Sequence, residues 1–365
     1  METNIKSGSY KHYISGLKGF SCLMVMIGHY IGLYKYAENF PVKSTLLDFL
    51  GKFLDSKIGF VLDESYWVIL FFVVSGYLVA NSKIPTIKTF FMKSFMRFLR
   101  LGLPVLFAFA VIFVIYKTVG FHTTDTTGIF ENSFIQGSLS GRYDFLDVIL
   151  SPIKVILLGD YLLNNPYWCL REMFFTSILI YFLLWLKEKI KNKNLFFLIF
   201  FIALIIGLVN FNVMFAGLLG MMVALLEKEE NKYFYKNKVF VFFLLILCAV
   251  MRIAPRSRIS CVFFAALILL VPKLPILNNI FSSKIAQFFS KISFGIYSFH
   301  WPVLCSIGML VLINTYKQIG LGTACMVACS ICIVISLLIS VIYYYCIEKH
   351  IYSALKKRDR KNIYE

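Results

Sequence analysis

The sequence lacks the marks of a secreted or multidomain protein. No Pro/Gly linker, internal repeat or appended soluble domain interrupts it, so residues 1–365 read as one domain. Its nine cysteines lie in or beside apolar runs and none pairs in a polar loop, which excludes a disulfide framework. Cys325, Cys329 and Cys332 share a helix face, but no second ligand cluster accompanies them, so they read as packing residues and no metal is expected. No small-residue cleavage site follows the first apolar run, which is too long for a signal-peptide core, so the run is expected to be retained. Acid is scarce too: 19 Asp and Glu stand against 37 Lys and Arg, a net charge of +18. In so apolar a chain the excess speaks of topology and anionic lipid rather than of nucleic acid.

Apolar surface is what the chain has in abundance. It is 59% hydrophobic, with 38 Phe and a mean hydropathy of +0.77. No soluble core needs that much, so an all-α, polytopic membrane helix bundle is expected. Ten spans are legible, at about Ile14–Tyr34, Trp67–Ala80, Leu101–Lys117, Tyr167–Leu186, Leu195–Val209, Val213–Leu226, Val239–Met251, Ile259–Val271, Ser293–Ile313 and Leu321–Ile347. A short polar N-terminus (1–13) precedes them and a basic tail (349–365) follows. An even count puts both termini on one side, and charge puts that side in the cytoplasm. The Asn81–Arg100 connection holds five basic residues and no acid, whereas the Lys35–Tyr66 and Thr118–Pro166 loops lean acidic. The short Arg252–Arg258 connection breaks this pattern. Val148–Leu163 is amphipathic enough to lie at the interface or dip into a site.

A few polar residues stand out inside this apolar frame. Lys18 and His29 are eleven residues apart in the first span, so they share a helix face ~16 Å apart along the axis. Both are expensive in lipid and belong against a protein interior or a water-filled cavity, where an imidazole is suited to taking a proton from a hydroxyl. Taken singly, Lys18 reads equally as an interfacial anchor and His29 as a packing histidine. Arg97 and Arg100, three apart, can grip phosphate with two forks, or simply anchor the helix mouth. Trp168 and Glu172 share a face, where the carboxylate either orients an imidazole or pairs with Arg171. Ser293, Tyr297 and His300 form one polar stripe, and Pro302 allows a local break. Glu348 closes the last span and reads as structural, paired with a basic tail residue.

In order and spacing these residues resemble the acyltransferase-3 family of integral membrane O-acyltransferases over nearly the whole chain. The resemblance rests on Gly16-Leu17-Lys18-Gly19 with His29, Phe71-Phe72 leading into Ser75-Gly76-Tyr77-Leu78, and Arg97-Phe98-Leu99-Arg100-Leu101 with Pro104. Trp168-Cys169-Leu170-Arg171-Glu172, Ile292 to Tyr297 leading to His300 and Pro302, and Glu348 complete it. It implies ten spans with both termini inside, an acyl-CoA donor at the cytoplasmic side, and as acceptor a hydroxyl of an envelope glycan or lipid-linked sugar. It implies that His29 is the catalytic histidine and that Arg97 and Arg100 belong to the donor site, with Ser75, Trp168, Tyr297 and His300 in support. The chain departs from the family pattern at Lys18, where arginine is usual, at Cys169, where serine is usual, and at His350, where proline often stands.

The expected function is therefore an O-acyltransferase of a bacterial cell membrane, moving acetyl from acetyl-CoA, a co-substrate rather than a bound cofactor, to a cell-surface polysaccharide. Lys18, Arg97 and Arg100 hold the donor, His29 acts as general base or carries the acyl group, and Glu172 orients or balances the imidazolium. Two other readings stay open: a transporter of a small solute such as an amino acid, using the buried Lys/His/Glu set as a relay, and a non-catalytic partner in glycan assembly.

Overall fold

The computed structural model describes residues 12–35, 45–54, 59–129, 143–161, 163–210, 212–228 and 258–364, together with Ser56 and Ile135. Every regular element among them is helical: α1 (His12–Lys35), α2 (Thr45–Leu54), α3 (Glu64–Ala80), α4 (Ile87–Thr118), α5 (Phe145–Ile153), α6 (Trp168–Lys189) and α7 (Lys193–Asn210). They continue with α8 (Asn212–Lys228), α9 (Arg258–Leu270), α10 (Pro275–Ser282), α11 (Lys284–Val303), α12 (Met309–Ile319), α13 (Leu321–Tyr343) and α14 (Lys349–Tyr364). Five helical stretches are long and apolar enough to cross a membrane: His12–Gly32, Ile87–Thr118, Asn165–Lys189, Lys284–Ile319 and Leu321–Arg358. A sixth is added if Ile259–Lys273 and Pro275–Ser282, bent by 98°, form one broken span. Glu64–Ala80, Lys193–Val209 and Val213–Glu227 are shorter apolar helices at the places expected for the second, fifth and sixth spans. The expected seventh span, Val239–Met251, and the arginines Arg252 and Arg256 lie outside the described residues.

Side-chain caps explain several helix starts. Asp63 accepts the Ser65 amide (3.1 Å) ahead of α3, Thr86 accepts the Thr89 amide (3.1 Å) ahead of α4, and Ser283 accepts the Ala286 amide (3.2 Å) ahead of α11. Asp144 and Asp147 close a reciprocal capping box on α5. The cap at Thr86 corrects one expectation. The basic segment Asn81–Arg100 is not a loop beyond Thr86: α4 begins at Ile87 and runs unbroken for 32 residues. No Gly or Pro occurs between Ile87 and Leu101, and a helix of that length spans ~48 Å, well beyond a ~30 Å hydrocarbon core. The basic first turns of α4 therefore extend past the apolar span as helix. For the same reason α11 begins at Lys284, ahead of the expected Ser293, and the basic tail is helical to Tyr364.

α1 is the hub. It packs against α3, α10 and α11 and touches α2 and α13. Small residues bring these backbones together, as in other membrane bundles. A Cβ at Gly19 would overlap the Ser290 amide of α11, and one at Gly76 of α3 would overlap the Gly217 carbonyl of α8. The prolines free carbonyls that side chains then take up. Pro302 cannot donate to Ser298 O, and Asn164 Nδ2 donates to it instead (2.9 Å). Pro152 likewise leaves Val148 O, which accepts from Ser151 Oγ (2.8 Å). After Pro302 the chain passes through a π-helical turn, Leu304–Gly308, before α12 resumes, so the break expected there is present as a local widening. α5 buries Val148 and Ser151, with Pro152 against Gly102 of α4, and exposes Phe145, Leu146, Ile149 and Ile153 on its other face.

Candidate active site

Because α1 is continuous, it delivers Lys18 and His29 to two different cavities. The first, about 150 Å³, is lined by Lys18, Ser75, Arg97, Arg100, Ser293, Tyr297 and Tyr352 among apolar neighbours. It meets a wider opening of about 510 Å³ lined by Lys83, Lys93 and Tyr181, and Arg97 and Arg100 line both. The second cavity, about 330 Å³, lies toward the other end of the bundle and is lined by His29, Glu64, Ser65, Phe72, Pro166, Trp168, Cys169 and Tyr297.

The first cavity is built for an anion. Arg97 donates from Nε to Ser177 Oγ (3.0 Å) and from Nη2 to Ser75 Oγ (3.0 Å), and Ser177 in turn donates to Met173 O (2.6 Å). Two hydroxyls hold the plane of the guanidinium without neutralising it, and no carboxylate pairs with it among the described residues. A partly buried cation without a counter-ion favours a bound anion. Glu348, a carboxylate only 1% exposed at the end of the π-helical turn Tyr344–Glu348, interacts electrostatically with Lys18 and with Tyr352 of α14. Its charged partner is thus Lys18 of the first span, where a basic residue of the tail was expected.

At the other end, His29 Nδ1 lies 2.9 Å from His300 Nε2, with the two rings inclined by 15°. His300 Nδ1 lies 2.8 Å from Ile296 O. A carbonyl only accepts, so this network assigns the His300 proton to Nδ1 and leaves its Nε2 an acceptor. His29 must then donate from Nδ1, which leaves the lone pair of His29 on Nε2. One backbone carbonyl thereby sets the tautomers of both rings. Trp301 packs edge-on against His29 (centroids 5.5 Å apart). Tyr30, the next residue, donates to His300 O (3.0 Å) and bonds Ser336 Oγ (2.8 Å), tying α1 to α11 and α13.

The stripe of Ser293, Tyr297 and His300 is therefore divided between the cavities. Ser293 lines the first, Tyr297 lines both, and His300, fully buried, stands behind His29. Glu172 is not brought to His29. It pairs with Arg171 (3.6 Å) and lines neither cavity, whereas Trp168 and Cys169, at the start of the same helix, line the second. The carboxylate that shares the cavity of His29 is Glu64, in the first turn of α3, whose Cβ and amide press against Gly28. Sequence reasoning passed over Glu64, Ser177 and Tyr352. Glu64 had a signal, an acid at the start of an apolar span; the other two had none.

The cysteine row serves packing: Cys329 donates to Tyr30 O (3.6 Å) and Cys332 to Val303 O (3.8 Å).

A helical membrane protein with a cationic pocket at one end and an oriented histidine at the other has the parts of a group-transfer enzyme. The chain belongs to the acyltransferase-3 family, whose acyltransferase domain matches residues 11–345. It is accordingly a membrane acyltransferase, working between an acyl donor and an acceptor. No curated protein and no solved structure shows significant similarity to the chain.

Proposed function

We propose that the protein transfers an acyl group, acetyl in the first instance, from cytoplasmic acyl-CoA to a hydroxyl of a cell-surface glycan or lipid-linked sugar in a bacterial cell membrane. The observation that carries this reading is the His29–His300–Ile296 chain, which leaves His29 Nε2 with its lone pair beside a cavity of about 330 Å³. The phosphates of the donor sit against Arg97, Arg100 and Lys18, and its acyl arm extends ~16 Å along α1 toward His29. The acceptor hydroxyl approaches in the second cavity, beside Glu64 and Trp168. His29 Nε2 takes the hydroxyl proton as the oxygen attacks the thioester carbonyl. The C–S bond then breaks, the thiolate of CoA leaves, and the proton on His29 returns to it, so that ester and CoA thiol are the products. His300 accepts from Nδ1–H throughout and shares the positive charge that develops on His29, the role first assigned to Glu172. Ten spans with both termini in the cytoplasm suit this path, because the basic start of α4 then faces the donor.

Purified protein in liposomes tests the reading. Release of CoA from acetyl-CoA that depends on a glycan acceptor supports it; solute uptake without CoA release overturns it in favour of transport. Sidedness is checked by single cysteines in a cysteine-reduced background. Lys88→Cys should react with impermeant reagent only from the cytoplasm and Asp144→Cys only from outside, and the reverse pattern overturns the two-sided path. Both positions are exposed.

A further inference from the structure

Among the described residues, Tyr297 is the one residue common to the linings of the cationic cavity and the His29 cavity. Its neighbours along the division are Phe71 and Phe72 on α3 and Cys169 and Leu170 on α6, each pair contributing one side chain to each cavity. The ring is held rather than loosely packed. Its hydroxyl donates to Pro166 O and lies 3.1 Å from Cys169 Sγ, and its face lies 5.7 Å from the Tyr167 ring. These bonds tie α11 to the turn that begins α6, so the ring can move only if the hydroxyl gives up both partners.

We propose that Tyr297 is the partition through which the acyl arm must pass, and that its ring, latched by Cys169 and Pro166, sets the size of acyl group that reaches His29. The inference rests on the donor and base assigned above. A donor anchored at Arg97 has its thioester on one side of Tyr297 and its destination on the other. A short acyl group passes beside the latched ring. A longer one needs the ring displaced, at the expense of a buried hydroxyl left without a partner. Tyr297 in this role is a specificity-determining residue and takes no proton in the reaction.

The test uses the full chain in nanodiscs and compares kcat/KM for hexanoyl-CoA and acetyl-CoA, with binding of CoA itself measured in parallel. Tyr297→Ala should raise the hexanoyl-to-acetyl ratio at least tenfold and leave CoA affinity within about threefold. An unchanged ratio in an active, CoA-binding variant overturns the proposal. If Tyr297→Ala does not fold, Tyr297→Phe and Cys169→Ala, which keep the ring and each weaken the latch, should raise the ratio two- to fivefold; no change in either overturns it. If no acyl-CoA supports transfer at all, the proposed function fails, and the partition is read separately by alkylation of a His29→Cys variant. There the thiolate displaces bromide from 2-bromoacyl-CoA. Adding Tyr297→Ala should speed labelling by 2-bromohexanoyl-CoA at least tenfold more than labelling by bromoacetyl-CoA. Equal acceleration of the two overturns the partition.

Discussion

The two ends of the bundle hold their key side chains in opposite ways. At the Arg97 end, a charged group is fixed by neutral hydroxyls and pairs with no carboxylate among the described residues. At the His29 end, a neutral group is fixed by a second imidazole and a backbone carbonyl, and a lone pair is left over. The first arrangement attracts a ready-made anion and the second creates a site where charge appears only during reaction. On the proposed reading, binding and chemistry are separated along one helix, with Tyr297 lining both cavities. A single polar stripe on α11 contributes to both sites because its members are spread over two helical turns: Ser293 lines the first cavity, Tyr297 lines both, and His300 lies behind His29.

The sharpest way to break this contrast is at His29. His29→Ala should lower turnover by ~10²–10⁴-fold while membrane insertion and CoA binding persist, as read by CoA release and by calorimetry. Loss of CoA binding in this variant would mean that the two ends are not separate. His300→Phe should follow, with a fall of roughly 10–10²-fold in kcat, because His29 Nδ1–H loses its acceptor and the tautomer is no longer imposed. His300→Gln, which can still accept that bond, should recover much of the loss; a purely structural His300 would show no such rescue.

The cationic end should respond in KM instead. Arg97→Lys keeps the charge but cannot reach both Ser75 and Ser177, so acyl-CoA binding should weaken by about tenfold, ~1.4 kcal/mol, with kcat nearly unchanged. Lys18→Arg should be tolerated or bind the donor more tightly, since it keeps the charge opposite Glu348 and adds the fork usual in the family.

The smallest effect is expected away from both ends, at the tie between Lys154 and Asp147 that fastens α5 (2.6 Å, side chains 29% and 15% exposed). Partial burial pushes the Asp147 carboxyl up, but the bonds from Lys154 and the Asp144 amide outweigh it and hold it below its ordinary value. The bond from Asp147 raises Lys154. A depressed carboxylate stabilises above its unfolded pKa and loses that contribution as pH falls through its folded value. A raised ammonium stabilises below its unfolded pKa and loses its contribution as pH rises through its folded value. The tie therefore holds across neutral pH, and Asp147→Asn should cost ~0.2–1 kcal/mol there, seen as a small drop in the thermal midpoint in detergent, and almost nothing in acid.

Hydropathy and spacing located what they could physically encode. The expected apolar runs that fall on described residues coincide with helices, because burial of backbone polar groups in lipid leaves helix as the local solution. The shared face of Lys18 and His29 followed from helical periodicity alone. Charge misled at Asn81–Arg100, since basic residues report sidedness and not helix ends; the cap at Thr86 was the better signal. Glu172 was assigned to His29 because it sits near the expected outer end of α6, yet position along a helix does not say which way a side chain points.

By itself, then, the sequence determined the helical membrane class, the family, and the pairing of a cationic end with a histidine end, since all of these are written in local composition and in spacing within single helices. Only the tertiary structure decided that His300 rather than Glu172 lies against His29, that Glu64 shares its cavity, that Ser75 and Ser177 hold Arg97, and that Tyr297 lines both cavities. Each of these depends on the rotation of one helix against another. That rotation is set by small-residue contacts such as Gly19 on Ser290 and Gly76 on Gly217, which join residues far apart in the chain and leave no mark in the local pattern of either.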